Sequence, residues 1–173
     1  AQMLDDPSLE LRYDAVAELI NQAKTASDDK QQKETYQRAF QFALDVRQID
    51  SIAAALTDRG ASVDLVEKMG FVTQWQIMGP FDNTGLEGYE RAYPPESRVD
   101  LAAEHEGKSG MVAWQPHQTT HAKGIVDLNE VVGDEKEVVA YAAAVVHSDE
   151  RTPVEIRFAS KNAVKLWVNG QSA

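Results

Sequence analysis

Apolar residues in the first seventy positions recur every three, four or seven residues, the spacing of one helical face. Three stripes follow this spacing: Leu9, Tyr13, Val16, Leu19, Ile20 and Ala23; Tyr36, Ala39, Phe40, Ala43 and Leu44; and Ile49, Ile52, Ala53 and Leu56. Asp6-Pro7-Ser8 is a typical helix start with Asp6 as the cap, and Gly60 ends the third helix. Ser27-Asp28-Asp29 separates the first two helices and can cap the second. Because the links are short, the pattern predicts an antiparallel helical bundle over residues 1–70.

The side-chain period changes to two shortly after Gly70. Alternating or continuously apolar runs predict strands at 71–78, 111–114, 138–146, 154–158 and 164–168. The run 138–146 is apolar on both faces, which indicates a central strand. Gly79-Pro80 is predicted to end the first strand.

Asn169-Gly170 is a strong hairpin-turn signal. Only three residues follow it, so we expect the returning strand to be missing and the preceding strand to have an unpaired edge. On this interpretation the natural chain continues past Ala173.

Charge and composition exclude several classes of function. The net charge is −11, and acidic residues exceed basic ones in both halves of the chain. Both nucleic acid and anionic membrane surfaces would therefore be repelled. With no cysteine, the chain has no disulfide, thiolate metal site or cysteine nucleophile. No run approaches 18 apolar residues, so no membrane insertion is predicted.

Three stretches taken together resemble a known family. They are 75–83 (WQIMGPFDN), 93–96 (YPPE) with 99–101 (VDL), and 160–170 (SKNAVKLWVNG). Their order resembles a galactose-binding-like jelly-roll module, and the last stretch is also similar to sugar-binding accessory domains of glycoside hydrolases. The chain departs from the commoner pattern at Lys161-Asn162, where an acidic pair is usual.

The resemblance implies a β-sandwich over 71–173 with affinity for carbohydrate, and it implies no reaction. Such modules occur in large, exported bacterial proteins that also carry HEAT-like helical segments, so an exported location (periplasmic or extracellular) is expected. The predicted fold class is α+β, with an N-terminal antiparallel helical bundle at 1–70 followed by a truncated jelly-roll sandwich at 71–173.

Trp167 and Lys165 are the candidate ligand-binding residues. If Val164, Leu166 and Val168 face the core, Trp167 and Lys165 point the other way, where an indole can stack on a sugar ring beside a polar group. The alternative is that neighbouring protein covers Trp167. The other two tryptophans alternate with polar residues and are predicted to be core.

Asp82, Asn83 and Glu87 are the candidate metal ligands. Hard oxygen donors close together in a loop can bind a structural calcium ion, and jelly rolls of the family resembled often carry one. The alternative is an Asx turn after Gly79-Pro80, which the spacing favours because it does not match the calcium-loop pattern.

No motif for catalysis is present in the sequence. Serine-nucleophile motifs, phosphate loops and dinucleotide fingerprints are absent, and the many carboxylates lie in polar runs typical of solvated turns. We therefore expect a non-catalytic binding or adaptor module of a larger protein, with carbohydrate and the other domains of that protein as partners. Two alternatives stay open: a structural module joining domains or subunits, and an accessory domain of a hydrolase.

Overall fold

The computed structural model describes residues 3–173. The chain divides into two compact units, Ala1–Met69 and Gly70–Ala173. The first is helical and the second carries antiparallel strands, so the predicted α+β class is confirmed at this level. Within the described residues the strands form one three-stranded and two two-stranded sheets, and these do not close into a jelly-roll sandwich.

The helical unit contains α1 (Leu9–Thr25), α2 (Asp29–Phe42), α3 (Val46–Thr57) and the short α4 (Leu65–Met69). Each stripe of apolar residues predicted from the sequence contributes to one core. Its fully buried members are Leu4, Val16, Leu19, Ile20, Ala23, Tyr36, Ala39, Ala43, Ile49, Ile52 and Leu56. The ends of two stripes are exposed, since Leu9 is 66% and Leu44 49% accessible.

Side-chain caps fix the ends of these helices. Ser8, and not the predicted Asp6, caps α1 by accepting from the amide of Leu11, while Asp6 accepts from the amide of Ser8. Asp28 caps α2 as predicted. Gly60 has a φ of +68° just beyond α3, a conformation that glycine adopts without strain.

The second unit has seven strands and two short helices among its residues. They are β1 (Gln74–Asp82), α5 (Pro94–Ser97), β2 (Glu104–Glu106), β3 (Met111–Ala113), β4 (Gln115–Gln118), α6 (Asn129–Val132), β5 (Val138–Ala143), β6 (Trp167–Val168) and β7 (Gln171–Ser172). The main sheet has the order β4-β1-β5, with both pairings antiparallel.

The expectation that Gly79-Pro80 ends the first strand is wrong. Strand β1 runs through both residues to Asp82, with a register shift between Met78 and Phe81 where it pairs with β5. A Cβ at position 79 would lie 3.1 Å from the Cα of Ala140, so glycine allows the two strands to approach closely. Phe81, which follows the register shift, is therefore buried.

The expected central strand is also corrected. Strand β5 lies at an edge of the three-stranded sheet and ends at Ala143; β1 is the central strand. No strand forms between residues 144 and 166, where Val154, Ile156 and Phe158 are all more than half exposed. A strand needs a paired neighbour to satisfy its backbone groups, and alternation alone does not supply one.

The Asn169-Gly170 turn does open a hairpin. A two-residue returning strand is present, contrary to the expectation that it is missing, and it pairs Trp167 with Ser172 and Val168 with Gln171. Positive φ angles at both turn residues are the angles of the tightest hairpin turns.

Candidate functional site

Four aromatic rings in the second unit contact one another around Tyr141 of β5. Phe81 and Tyr93 are buried, and their ring centroids lie 5.6 and 6.2 Å from that of Tyr141. Trp167 is half-buried on the same cluster, 6.4 Å from Tyr141. The cluster therefore runs from two buried rings to two half-buried ones, and Trp167 is its terminal ring, in contact with Tyr141 alone among these rings.

A polar chain accompanies these rings. The hydroxyl of Tyr141 donates to Oε1 of Glu96 at 2.5 Å, and the other carboxylate oxygen of Glu96 lies 3.6 Å from the ammonium of Lys165. The Glu96 side chain is only 12% exposed and that of Lys165 28%, so this ion pair is partly desolvated. Lys165 also lies over the ring of Tyr89, with 5.1 Å from Nζ to the ring centroid.

The electrostatic setting keeps Tyr141 protonated. Burial, followed by the hydrogen bond to Glu96 and its negative charge, raises the pKa of Tyr141 well above the ordinary value of 10.0. The phenol is therefore a permanent donor to Glu96. With one oxygen on Tyr141 and the other beside Lys165, Glu96 acts as an anchor for both side chains.

The short helix α5 positions Glu96. It begins with Pro94 at its first turn, where a missing N–H costs nothing, and Tyr93 precedes it. The hydroxyl of Tyr93 donates to the carbonyl of Asp82 at 2.6 Å, and the guanidinium of Arg91 lies 5.1 Å from the ring centroid of Tyr93. These contacts hold α5 beside the end of β1 and aim Glu96 at Tyr141.

The structure packs Trp167 on Tyr141 and Lys165 beside Glu96, so both are half-buried and do not point outward as predicted. Of the predicted core face, Val164 is 46% and Val168 37% exposed, while Leu166 is half-buried. The reversal arises because Glu96 and Tyr141 supply partners for the ammonium and the indole. The segment's valines find no equivalent surface.

Asp82, Asn83 and Glu87 form the local turns of the loop after β1. Oδ1 of Asp82 accepts from the amide and the hydroxyl of Thr84, and these bonds lower the pKa of Asp82. Oδ1 of Asn83 accepts from the amide of Gly88, and the carbonyl of Glu87 accepts from two following amides. Among residues 3–173, no group of three or more acidic or histidine side chains could hold a metal ion.

The two remaining tryptophans differ in burial. Trp114 is buried with Met78 and Phe81 in the core of this unit, as predicted. Trp75 is half-buried, and its indole N–H donates to the carbonyl of Val72. Neither of them takes part in the ring contacts around Tyr141.

Sequence reasoning missed Tyr141, Glu96 and Tyr89 as site residues. Tyr141 carries the one hydroxyl in the apolar run 138–143, and a buried tyrosine hydroxyl usually requires a partner. The sequence therefore indicates that the Tyr141 hydroxyl has a hydrogen-bond partner. It does not indicate which residue that partner is, because Glu96 lies 45 residues earlier in the chain.

Comparison of the chain with protein-family models, with curated proteins and with solved structures gave no match. No helix between residues 3 and 173 combines the length and the apolar character that crossing a bilayer requires.

Proposed function

We propose that this protein is a non-catalytic binding module that takes a carbohydrate at Trp167 and Lys165. In this proposal residues 71–173 are an incomplete galactose-binding-like jelly roll, and the module serves a larger exported protein. The three stretches that carry the resemblance support it, because each contributes to the cluster around Tyr141: Phe81 from the first, Tyr93 and Glu96 from the second, and Lys165 and Trp167 from the third.

The observation that carries the proposal is the pairing of an indole and an ammonium on one scaffold. Trp167 is the half-buried terminal ring of the cluster, and Lys165, two residues away in the chain, is held by Glu96. An aromatic face contacts the C–H face of a sugar, and a nearby charged group fixes its hydroxyls. Both groups are ordered before the ligand arrives, which lowers the entropic cost of binding.

The surroundings of Glu96 support a role in binding rather than catalysis. A glycosidase needs two carboxyl groups facing each other across the scissile bond, one of them free to donate a proton. Glu96 is the carboxylate of this cluster, and both of its oxygens already have partners. It holds the site together without being free for proton transfer.

A glycan array followed by calorimetry with the oligosaccharides that bind tests the proposal. We expect Trp167→Ala to raise Kd by about tenfold or more, as loss of a central aromatic contact does. Phe158→Ala is the matched control because it removes an aromatic ring from the same unit that is 55% exposed and outside the cluster. Absence of binding by the unmodified chain would contradict the proposal.

A second candidate function is a structural module that joins domains or subunits. It is favoured by the apolar side chains exposed between β5 and β6: Val145, Val146, Val154, Ile156, Phe158 and Val164. Exposed apolar side chains are typical of interaction sites where they group into one surface. Light scattering over a concentration series tests it: self-association that Ile156→Asp removes would favour this function, and a monomer at all concentrations would argue against joining copies of this chain.

Calcium at Asp82, Asn83 and Glu87 is the weaker of two interpretations of this loop, and a local Asx turn is the stronger. The support for calcium is the residue types, which are hard oxygen donors close together in a loop. The turn hydrogen bonds of Asp82 and Asn83 compete with it. A melting experiment that decides between the two is given in the Discussion.

A further inference from the structure

Tyr89 is an aromatic side chain held at the surface beside Lys165. It is 55% exposed, and the ammonium of Lys165 lies over its ring at 5.1 Å. An exposed tyrosine has no need of such an arrangement for folding. Its ring therefore lies beside the charged group of the proposed site.

The turn that carries Tyr89 is tightly fixed. The amide of the preceding Gly88 donates to Oδ1 of Asn83 at 2.6 Å. A Cβ at position 88 would come within 2.7 Å of Val139 and within 2.6 Å of that same oxygen, so a larger residue would force these side chains to move. The amides of Glu90 and Arg91 both donate to the carbonyl of Glu87. The loop therefore presents Tyr89 from a defined position against β5.

Lys165 links Tyr89 to Trp167. Its ammonium contacts the ring of Tyr89 and the carboxylate of Glu96, and Glu96 in turn holds Tyr141, on which Trp167 packs. Tyr89 thus contacts the ammonium directly, and Trp167 is connected to the same ammonium through Tyr141 and Glu96. The ammonium carries three donors, which allows one to be directed to a ligand.

We propose that Tyr89 is a second stacking residue of the site, and that the ligand is a neutral oligosaccharide which contacts Tyr89 and Trp167 with successive sugar units. This inference rests on the proposed carbohydrate function. Aromatic rings flanking a polar group match the alternation of C–H faces and hydroxyls along a saccharide.

The charges on and around the proposed site indicate whether its ligand is a neutral or an acidic glycan. The positive charge of Lys165 is already balanced by Glu96 at 3.6 Å, and the whole chain carries a net charge of −11. A uronate or sulfated glycan would meet, at Lys165, a cation that is already paired with Glu96, and it would be repelled by the negative charge of the whole chain. Neutral sugar units suit the pair because they offer both donors and acceptors to it.

Calorimetry with neutral cello-, manno- and galacto-oligosaccharides, and with oligogalacturonate as the acidic probe, tests the inference. The variants are Tyr89→Ala, Tyr89→Phe, Trp167→Ala and the control Phe158→Ala, each checked for an unchanged melting curve. We expect Tyr89→Ala to raise Kd for a neutral oligosaccharide by about tenfold, which corresponds to about 1.4 kcal/mol. Tyr89→Phe keeps the ring and should retain most of the affinity.

The outcomes separate the inference from the function on which it rests. If the unmodified chain binds a neutral oligosaccharide and Trp167→Ala loses it while Tyr89→Ala binds normally, the inference is overturned and the carbohydrate function stands. Tighter binding of oligogalacturonate than of every neutral probe would overturn the assigned ligand class. No binding of any probe by the unmodified chain would overturn both.

Discussion

Similar apolar residues are buried in the helical unit and exposed in the segment 144–166. Val16, Ala39 and Ile52 are fully buried in the helical core, whereas Val154 is 71% and Phe158 55% exposed. In the helices, backbone hydrogen bonds are satisfied locally, so an apolar stripe only has to meet the next stripe a few residues away. A strand needs a distant partner, and no residue of 144–166 is paired in a strand.

The cluster around Tyr141 lies between these two extremes. Its strand β5 is paired only with β1, yet Tyr141 is held by side chains from three other segments. Burial there depends on a few specific contacts instead of a continuous stripe. The comparison teaches that in this chain the alternation of apolar residues predicts structure only where a partner surface lies nearby.

The largest expected difference in free energy of unfolding is between alanine substitutions at two phenylalanines of the second unit. Phe81 is 1% exposed and packs on Tyr93 and Tyr141, so Phe81→Ala should cost about 3–5 kcal/mol in free energy of unfolding. Phe158→Ala should change it by less than about 0.5 kcal/mol because the ring is largely exposed. Urea unfolding of both variants measures the difference. Equal costs would mean that Phe158 is buried and the contrast is wrong.

A smaller effect is expected at the ion pair that fixes Lys165. Glu96→Ala leaves the hydroxyl of Tyr141 and the ammonium without their partner, and the expected cost is about 1–3 kcal/mol. Glu96→Gln keeps an acceptor for Tyr141 and should cost less. The exposed Glu135→Ala is the matched control.

A double-mutant cycle separates the pair from the rest of the cluster. Combining Glu96→Gln with Lys165→Met should give a coupling energy of about 0.5–1 kcal/mol, since the pair is only partly buried. Strict additivity of the two changes would show that the carboxylate and the ammonium do not interact in solution.

How much of this could be read from the sequence depends on how local each feature is. The helical stripes, the cap at Asp28 and the turn at Asn169-Gly170 are set by neighbouring residues, and the structure confirms them. The prediction of a strand at 154–158 is wrong because the alternation of apolar residues does not show whether a neighbouring strand is present to pair with it. The predicted direction of Trp167 is wrong because its side chain packs on Tyr141, and Glu96 holds the neighbouring Lys165.

Tyr141 gives stability a specific pH dependence. Its pKa is raised in the folded state by burial and by Glu96, so the unfolded chain loses this proton at lower pH than the folded chain. The free energy of unfolding should therefore fall as pH rises above 10.0, the ordinary value for tyrosine. Tyr141→Phe should make this fall shallower in urea unfolding between about pH 9 and about pH 11.

The exposed Tyr13 supplies the control for that experiment. Tyr13→Phe changes the same number of titrating groups at a position that is 41% exposed and lies outside the cluster. A fall in stability with pH that is equally steep in Tyr141→Phe and the unmodified chain would contradict the buried hydrogen bond to Glu96.

The smallest effect is expected at the loop after β1. Because Oδ1 of Asp82 and Oδ1 of Asn83 already accept from Thr84 and Gly88, the melting temperature should be the same in calcium and in a chelator. Thermal unfolding in both conditions measures it. A rise in calcium that Asp82→Asn removes would instead assign a calcium site to this loop.

The account depends on Trp167 and Lys165 forming a prearranged ligand surface on the Tyr141 cluster. The most direct measurement is an NMR titration of the isotope-labelled chain with the oligosaccharide that binds best. We expect the indole N–H of Trp167 and the backbone amides of Lys165 and Tyr89 to shift in proportion to occupancy, while the amides of 154–158 stay in place. Shifts confined to the helices or to 154–158, or no shifts at all, would contradict it.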